Sequence, residues 1–195
     1  MAVADSEVLD APGWGSPGLK RATLTLAVTQ LASWGVLFYG FTVVAPDMTD
    51  DLGWSEPVVS GALTIGLTVA GFAAPPVAKA LASHDPRLVL TAGSLIGAVG
   101  MVGFGLAPHP VVLYLAWVLI GLAMAATLYE PAMAVLVAID PARRHRTLTA
   151  ITVAGGLAST VCAPLGGALV DRFGWRTALI VLGLGGGALT ATLHA

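Results

Sequence analysis

Six long apolar stretches dominate this sequence and restrict the chain to an all-α membrane fold. They cover residues 22–45, 58–78, 88–107, 111–138, 148–170 and 177–193. A helix of about 20 apolar residues crosses the ~30 Å hydrocarbon layer of a bilayer. Each stretch is near or above that length, so we predict six transmembrane helices. The sixth is the weakest, because Gly185, Gly186 and Gly187 lower its helix propensity.

The composition excludes several other classes of protein. Charged residues make up 10% of the chain, against about 25% in soluble domains, which is too few to cover a soluble surface. Disordered chains are polar, so disorder is excluded as well. The net charge of −2 gives no electrostatic footprint for nucleic acid. With one cysteine and four scattered histidines, we expect no metal site and no cofactor.

The distribution of lysine and arginine predicts the orientation of the spans. Seven basic residues lie in the tail and in the second and fourth loops, namely Lys20, Arg21, Lys79, Arg87, Arg143, Arg144 and Arg146. The other loops carry only Arg172 and Arg176. Because cytoplasmic loops are enriched in Lys and Arg, both termini are predicted to be cytoplasmic. Residues 1–21 are polar, with acidic residues preceding the basic ones, and predict a flexible tail rather than a secretory signal.

An internal repeat appears when the sequence is shifted by 89 residues. The shift aligns Gly66 with Gly155, Ala74 with Ala163, Pro75 with Pro164, Arg87 with Arg176 and Gly97 with Gly186. Each copy would hold three spans, about residues 22–107 and 111–195. An odd number of spans places the two copies in opposite orientations, and inverted three-helix repeats are typical of secondary transporters.

Three segments resemble a known family. Residues 163–176 read Ala-Pro-Leu-Gly-Gly-Ala-Leu-Val-Asp-Arg-Phe-Gly-Trp-Arg, residues 52–55 read Leu-Gly-Trp-Ser, and residues 128–132 read Leu-Tyr-Glu-Pro-Ala. The chain after the tail is thereby similar to the N-terminal six-helix half of a major facilitator superfamily transporter. The resemblance implies a plasma-membrane protein with both termini cytoplasmic, and a substrate site shared with a second six-helix half.

The chain also departs from the family pattern. The loop between the second and third helices normally carries an aspartate that helps lock the outward-open state, and here Ala82 holds that position. An arginine associated with proton transfer in the fourth helix is replaced by Trp117. The resemblance leaves five gating-loop candidates: Lys79, Arg87, Asp171, Arg172 and Arg176.

Glu130 is the only acidic residue well inside a predicted span. At 1.5 Å per residue it lies about 15 Å from Asp140, the end of that span. Intramembrane carboxylates are costly and usually functional or paired. With its neighbour Tyr129, it is a candidate for ion coupling or substrate binding; the alternative is a neutral cross-brace. Ala126 and Ala123 would place Glu130 toward the bundle interior, and Pro131 leaves the carbonyl of Thr127 without its helical donor.

Polar and aromatic residues of the first and fifth spans are further candidates. Gln30, Trp34 and Phe38 share one helix face, and Tyr39 follows them. Gln30, Trp34, Tyr39 and Thr152 could line a substrate cavity. The alternative is helix packing for the first-span residues and bonding to its own helix backbone for Thr152.

The sequence favours a secondary active transporter that moves a small solute by alternating access, driven by a proton or another ion. The chain carries no Walker motif and no enzyme motif, so we expect transport without ATP hydrolysis. The alternative is a six-span channel or exporter subunit. With a single six-helix unit, the chain would be a half-length or truncated transporter. Its expected partners are the lipid bilayer, a small-molecule substrate and either a second six-helix half or another copy of itself.

Overall fold

The structure, a computed structural model, describes residues 17–195. Almost all of these residues lie in helices. The α-helices are α1 Pro17–Ser33, α2 Gly40–Leu52, α3 Glu56–Ser83, α4 Pro86–Gly105, α5 Pro110–Thr127, α6 Tyr129–Ile139, α7 Arg144–Gly156, α8 Ala158–Phe173 and α9 Trp175–His194. A π-helical segment, Trp34–Tyr39, joins α1 to α2, and a 3₁₀ turn, Pro141–Arg143, precedes α7.

These elements form six spans that are long and apolar enough to cross a membrane. The spans are Pro17–Leu52, Glu56–Ser83, Pro86–Gly105, Pro110–Ile139, Pro141–Phe173 and Trp175–His194. The prediction of an all-helical membrane fold with six spans is confirmed. The first described helix includes Pro17 to Arg21, which the sequence assigned to the tail. The rest of that predicted tail, residues 1–16, lies outside the described residues.

The third and sixth spans pack against each other more extensively than any other two described spans. The fourth span packs against the third, the second against the fourth, and the fifth against the first. The second and fifth spans are the least covered, with 22% and 17% of their apolar windows buried. Helix α6, the second part of the fourth span, contacts both of them, and we call the exposed surface of these three segments the open face.

Two arginines tie the third and sixth spans together at both ends. Arg176, at the start of the sixth span, donates from Nη1 to the carbonyls of Gly105 and Ala107 at 3.1 and 3.2 Å, where the third span ends. Arg87, at the start of the third span, donates from Nη1 to the carbonyl of Ala195 at 3.3 Å, just after the sixth span. Positive charge at a helix C-terminus is favourable. The sequence shift of 89 residues aligned these same two arginines, and their exchanged contacts are those expected of an inverted repeat.

Two glycines of the sixth span lie directly against the third span. A Cβ on Gly183 would lie 2.5 Å from Met101 Cβ, and one on Gly187 would lie 2.5 Å from Ala98 Cβ. In a bilayer, helices associate through close packing, so small residues belong at their interfaces. Gly183 and Gly187 therefore allow the third and sixth spans to approach each other closely.

Aromatic side chains fill the centre of the main core. Trp117 and Phe104 are fully buried, and their ring centroids lie 5.6 Å apart in an edge-to-face arrangement. Phe41 of the first span meets Trp117 edge to face at 5.2 Å. Trp117, at the position where the family pattern has an arginine, therefore joins the first, third and fourth spans as an apolar packing residue.

Candidate solute-binding site

The fourth span is broken in its middle, and Gln30 of the first span fills the break. Leu128 separates α5 from α6 with φ −79° and ψ −155°, outside helical geometry. Gln30 is fully buried, and its Nε2 donates to the carbonyl of Thr127 at 2.7 Å and to that of Leu128 at 3.2 Å. Pro131 has no N–H for Thr127, so the side chain of Gln30 replaces the missing backbone donor.

The break changes which way Glu130 faces. The sequence placed Glu130 on the face of Ala123 and Ala126 toward the bundle interior, and that expectation is wrong. Ala123 and Ala126 are buried, whereas Glu130 is exposed on the open face. A regular helix would have kept the three residues in register, but the extended backbone at Leu128 rotates α6 relative to α5.

Glu130 lies on the wall of an apolar cavity between the second and fourth spans. The cavity has a volume of about 280 Å³, and its other lining residues are alanine, valine, leucine and proline, among them Val77, Leu81, Ala82 and Ala134. Among residues 17–195, Glu130 has no hydrogen-bond or ion-pair partner. One carboxylate thus lies near the middle of the bilayer beside aliphatic surface.

A row of four aromatic rings starts at Tyr129, the neighbour of Glu130 in the sequence, and continues through Trp34, Phe38 and Tyr39. The centroid distances along the row are 4.9 Å from Tyr129 to Trp34, 5.5 Å from Trp34 to Phe38 and 5.3 Å from Phe38 to Tyr39. We call this set the aromatic row. The indole Nε1 of Trp34 is a buried donor with no acceptor among the described residues.

The π-helical segment gives the aromatic row its spacing. Its backbone widens by one residue per turn, as the bond from the N–H of Gly40 to the carbonyl of Gly35 shows. Gly35 packs directly against Cys162 of the fifth span, where a Cβ would overlap the sulfur. The Cys162 thiol donates to the carbonyl of Leu31 at 3.8 Å, a carbonyl near the start of the widened turn. Single π-helical turns occur frequently at functional sites.

Tyr129 joins the fourth span to the fifth. Its hydroxyl donates to the carbonyl of Thr152 at 3.3 Å, and its ring packs against Gly155, where a Cβ would overlap the hydroxyl. The side-chain hydroxyl of Thr152 is exposed, so the backbone of Thr152, not its side chain, contacts Tyr129. The structure therefore brings Gln30, Trp34, Tyr129 and Thr152 together around the break, with Tyr39 at the far end of the aromatic row and Glu130 on the adjoining wall.

The gating-loop candidates divide between the two ends of the bundle. Lys79 and Arg87 lie at the end that carries most of the basic residues, which we call the basic end, and Asp171, Arg172 and Arg176 lie at the opposite end. Lys79 and Asp171 have no side-chain partner among residues 17–195. Arg172 lies over the ring of Phe173 at 5.6 Å.

The opposite end contains a hydrogen bond between the first and sixth spans that the sequence did not predict. The indole Nε1 of Trp175 donates to Asp51 Oδ2 at 3.2 Å, which links the sixth span to the end of the first. The Arg176 guanidinium lies over the Trp175 ring at 4.3 Å. The Gly-Trp-Arg segment supplied a signal for this site, but the partner Asp51 is more than a hundred residues away in the sequence. No group of three or more metal-ligating side chains was found among the described residues.

Comparison with known proteins identifies the family. Residues 24–194 match the description Major Facilitator Superfamily. The chain belongs to the major facilitator superfamily. A protein named Monocarboxylate transporter 11 from Mus musculus is 30% identical over 183 residues, which cover 93% of this chain and 38% of the relative. Monocarboxylate transporter 13 from Rattus norvegicus is 27% identical over 173 residues, which cover 87% of this chain and 39% of the relative.

Membership of the major facilitator superfamily accounts for the six apolar spans and makes the chain a multi-pass membrane protein. The chain spans less than two-fifths of the length of these relatives. In this member of the superfamily, Ala82 replaces the expected loop aspartate and lines the same apolar cavity as Glu130. The basic end of that cavity is thus apolar where the family pattern would place a charge.

Proposed function

We propose that this chain forms the N-terminal half of a secondary active transporter, which moves a small organic solute across the plasma membrane by alternating access. The observation that carries the proposal is Glu130, an exposed and unpartnered carboxylate near the middle of the fourth span. A carboxylate in that position is costly in a bilayer and is a functional site by default. The transport cycle leaves the solute chemically unchanged, so the proposed activity is not enzymatic.

Glu130 is proposed to couple transport to the movement of a proton. The carboxylate lies beside aliphatic surface, where its charged form is stable only while water reaches it. Closing the cavity to water would then require Glu130 to take up a proton, and opening it on the other side would release that proton. Loading and release on opposite sides of the membrane is what coupling requires.

The solute is proposed to be a small organic acid, because both relatives are named as monocarboxylate transporters. Among the described residues, every lysine and arginine of this half lies within about two turns of a span end, so none lies near the middle of the bilayer. A solute carboxylate in the apolar cavity would therefore meet an uncharged donor, protonated Glu130. Protonation of Glu130 also removes the repulsion between two carboxylates.

The open face requires a partner, and we propose a second six-helix half. An exposed carboxylate facing lipid would cost several kcal/mol. The relatives are more than twice as long as this chain, and their extra length is enough for six further spans. Lys79 and Asp171, which lack partners in this half, are proposed to contact the second half at the two ends of the cavity. The basic end is proposed to face the cytoplasm.

The test is substitution of Glu130 in an assembly that contains both halves. Glu130→Gln keeps the shape and removes the titrating proton, so proton-driven accumulation should be abolished while solute exchange at equilibrium survives. Glu130→Asp should retain part of the accumulation. Glu56→Gln, which removes a carboxylate at the opposite end, is the matched control and should leave accumulation unchanged. If accumulation and its pH dependence are the same in the Gln variant as in the wild type, Glu130 is a structural residue and not the coupling site.

A further inference from the structure

A second cavity lies at the basic end of the bundle, and nothing in the proposed transport cycle uses it. The cavity has a volume of about 680 Å³ and lies between the first, third, fourth and sixth spans. Arg21, Arg87 and His194 line it from three different spans, and Leu26, Leu90 and Ile139 are among the residues of its aliphatic wall. We call it the basic cavity. Glu130 and the aromatic row do not line it.

The two arginines of the basic cavity are exposed and have few partners among the described residues. Within residues 17–195, Arg21 has no hydrogen-bond or ion-pair partner. Arg87 uses Nη1 for the carbonyl of Ala195, and its other guanidinium nitrogens have no side-chain or backbone acceptor in the described chain. Among the described residues, no aspartate or glutamate lines the cavity. The two exposed arginines at its edge therefore have no compensating carboxylate side chain within residues 17–195.

His194 gives a second indication of a bound group in the basic cavity, independent of the two arginines. It is only 4% exposed, and its Nδ1 lies 3.0 Å from the hydroxyl of Ser94. Its Nε2 is buried and has no partner in the described part of the chain. Buried polar atoms without partners are rare in native structures and call for an explanation such as a bound group. The Ser94 hydroxyl donates its proton to the carbonyl of Leu90 at 3.0 Å, so Nδ1–H of His194 donates to the Ser94 oxygen, and Nε2 is a buried acceptor that lacks a donor among the described residues.

We propose that the basic cavity binds the headgroup phosphate of an anionic phospholipid. Arg21 and Arg87 would contact the phosphate oxygens, a hydroxyl of the headgroup would donate to Nε2 of His194, and the first carbons of the acyl chains would lie along Leu26 and Leu90. A cavity that is cationic on one side and aliphatic on the other matches an amphiphile better than a free ion. Basic pockets between transmembrane helices on the cytoplasmic side bind lipid headgroups of this kind.

The test is lipid selection by the purified chain. The protein is placed in nanodiscs of phosphatidylcholine mixed with phosphatidylglycerol, re-extracted, and its retained lipids are measured by mass spectrometry. Wild type should retain phosphatidylglycerol in excess of its share of the mixture. Each arginine near an anionic lipid surface is worth enough for about a fivefold change in affinity, so Arg21→Gln and Arg87→Gln should each lower the enrichment by about that factor.

Two further variants separate a specific site from general charge and from a folding defect. Arg144→Gln removes one exposed positive charge at the same end but outside the cavity, and should keep the enrichment. His194→Asn keeps an amide near the Ser94 hydroxyl and removes Nε2, and should lower the enrichment. Arg21 has no partner to lose within residues 17–195, so its variant should unfold at the wild-type temperature.

Several results would overturn the proposal. One is equal enrichment in wild type and in the Arg21→Gln and Arg87→Gln variants. Another is an equal loss in the Arg144→Gln control, which would indicate attraction to the whole basic end. A third is complete displacement of the retained lipid by glycerol phosphate or inorganic phosphate, which would make the cavity a site for a soluble anion.

Discussion

Gln30 donates to the backbone carbonyl of Thr127 at 2.7 Å, so a side chain of the first span completes the main chain of the fourth. The contact lies beside the aromatic row and one turn from Glu130. Any change in the position of the first span relative to the fourth must break or move this hydrogen bond. The break at Leu128 is therefore the point where the first span is hydrogen-bonded to the fourth, and the residues of the candidate site lie around it.

Removal of the Gln30 donor should be partly repaired by removal of Pro131. Gln30→Leu leaves a buried carbonyl without a donor and should lower the stability by about 1–2 kcal/mol. Pro131→Ala restores a backbone N–H that can reach Thr127, so the double variant should lose less than the sum of the two single variants. Thermal unfolding in detergent measures all four proteins. Strictly additive losses would mean that the two groups do not share the Thr127 carbonyl.

Two adjacent glycines of the fifth span should respond differently to a methyl group. Gly155→Ala places a Cβ against the Tyr129 hydroxyl, and should displace the aromatic row and impair solute exchange in the complete assembly. Gly156→Ala meets no atom within 4 Å, and should stay within about 1 kcal/mol of the wild-type stability with normal exchange. Exchange assays and unfolding measurements on the pair test the packing of Tyr129. The same loss of exchange in both variants would contradict it.

The two arginines of the opposite end, Arg176 and Arg172, should differ in how much they contribute to stability. Arg176→Gln loses charged hydrogen bonds to Gly105 and Ala107, and should lower the stability by at least about 1 kcal/mol. Arg172→Gln loses only a distant ring contact and should change the stability by less than about 0.5 kcal/mol. Unfolding of the two variants under the same conditions gives the comparison. Equal stabilities would show that the Arg176 contacts contribute nothing measurable.

The orientation can be checked with reporter fusions. A reporter after Pro108 follows the third span and one after Ala195 follows the sixth, so the two should report opposite sides of the membrane. The basic end is expected to be cytoplasmic, which places the Ala195 fusion inside. An outside signal from the Ala195 fusion would reject this orientation.

The 195-residue chain alone should not accumulate solute against a gradient. Its open face exposes Glu130 and lacks an opposite wall, so the cavity cannot be closed to water on alternate sides. Reconstitution of the purified chain in vesicles with an imposed proton gradient measures this. Concentrative uptake by a demonstrated monomer would disprove the need for a second half, whereas uptake only by a dimer would replace that half with another copy of the chain.

The spans could be predicted from the sequence because hydrophobic length is a property of each segment alone. The freed carbonyl of Thr127 was also predictable, since Pro131 lies four residues later. Its partner Gln30 was not, because that contact depends on how the first span packs against the fourth. The direction of Glu130 was predicted wrongly for a related reason: one non-helical residue, Leu128, cancels the helical periodicity on which such a prediction depends. The hydrogen bond between Trp175 and Asp51 could not be predicted either, because the two residues are far apart in the sequence.

The exchanged contacts of Arg87 and Arg176 have a mechanical consequence. The third and sixth spans run in opposite directions and are joined at both ends by arginine hydrogen bonds. A slide of one span along the other by a single residue, about 1.5 Å, would stretch at least one of these hydrogen bonds in either direction. The two spans therefore resist sliding along each other in both directions. Bending must then be confined to the first, second, fourth and fifth spans, and in the first and fourth the π-helical turn and the break at Leu128 already provide the flexible points.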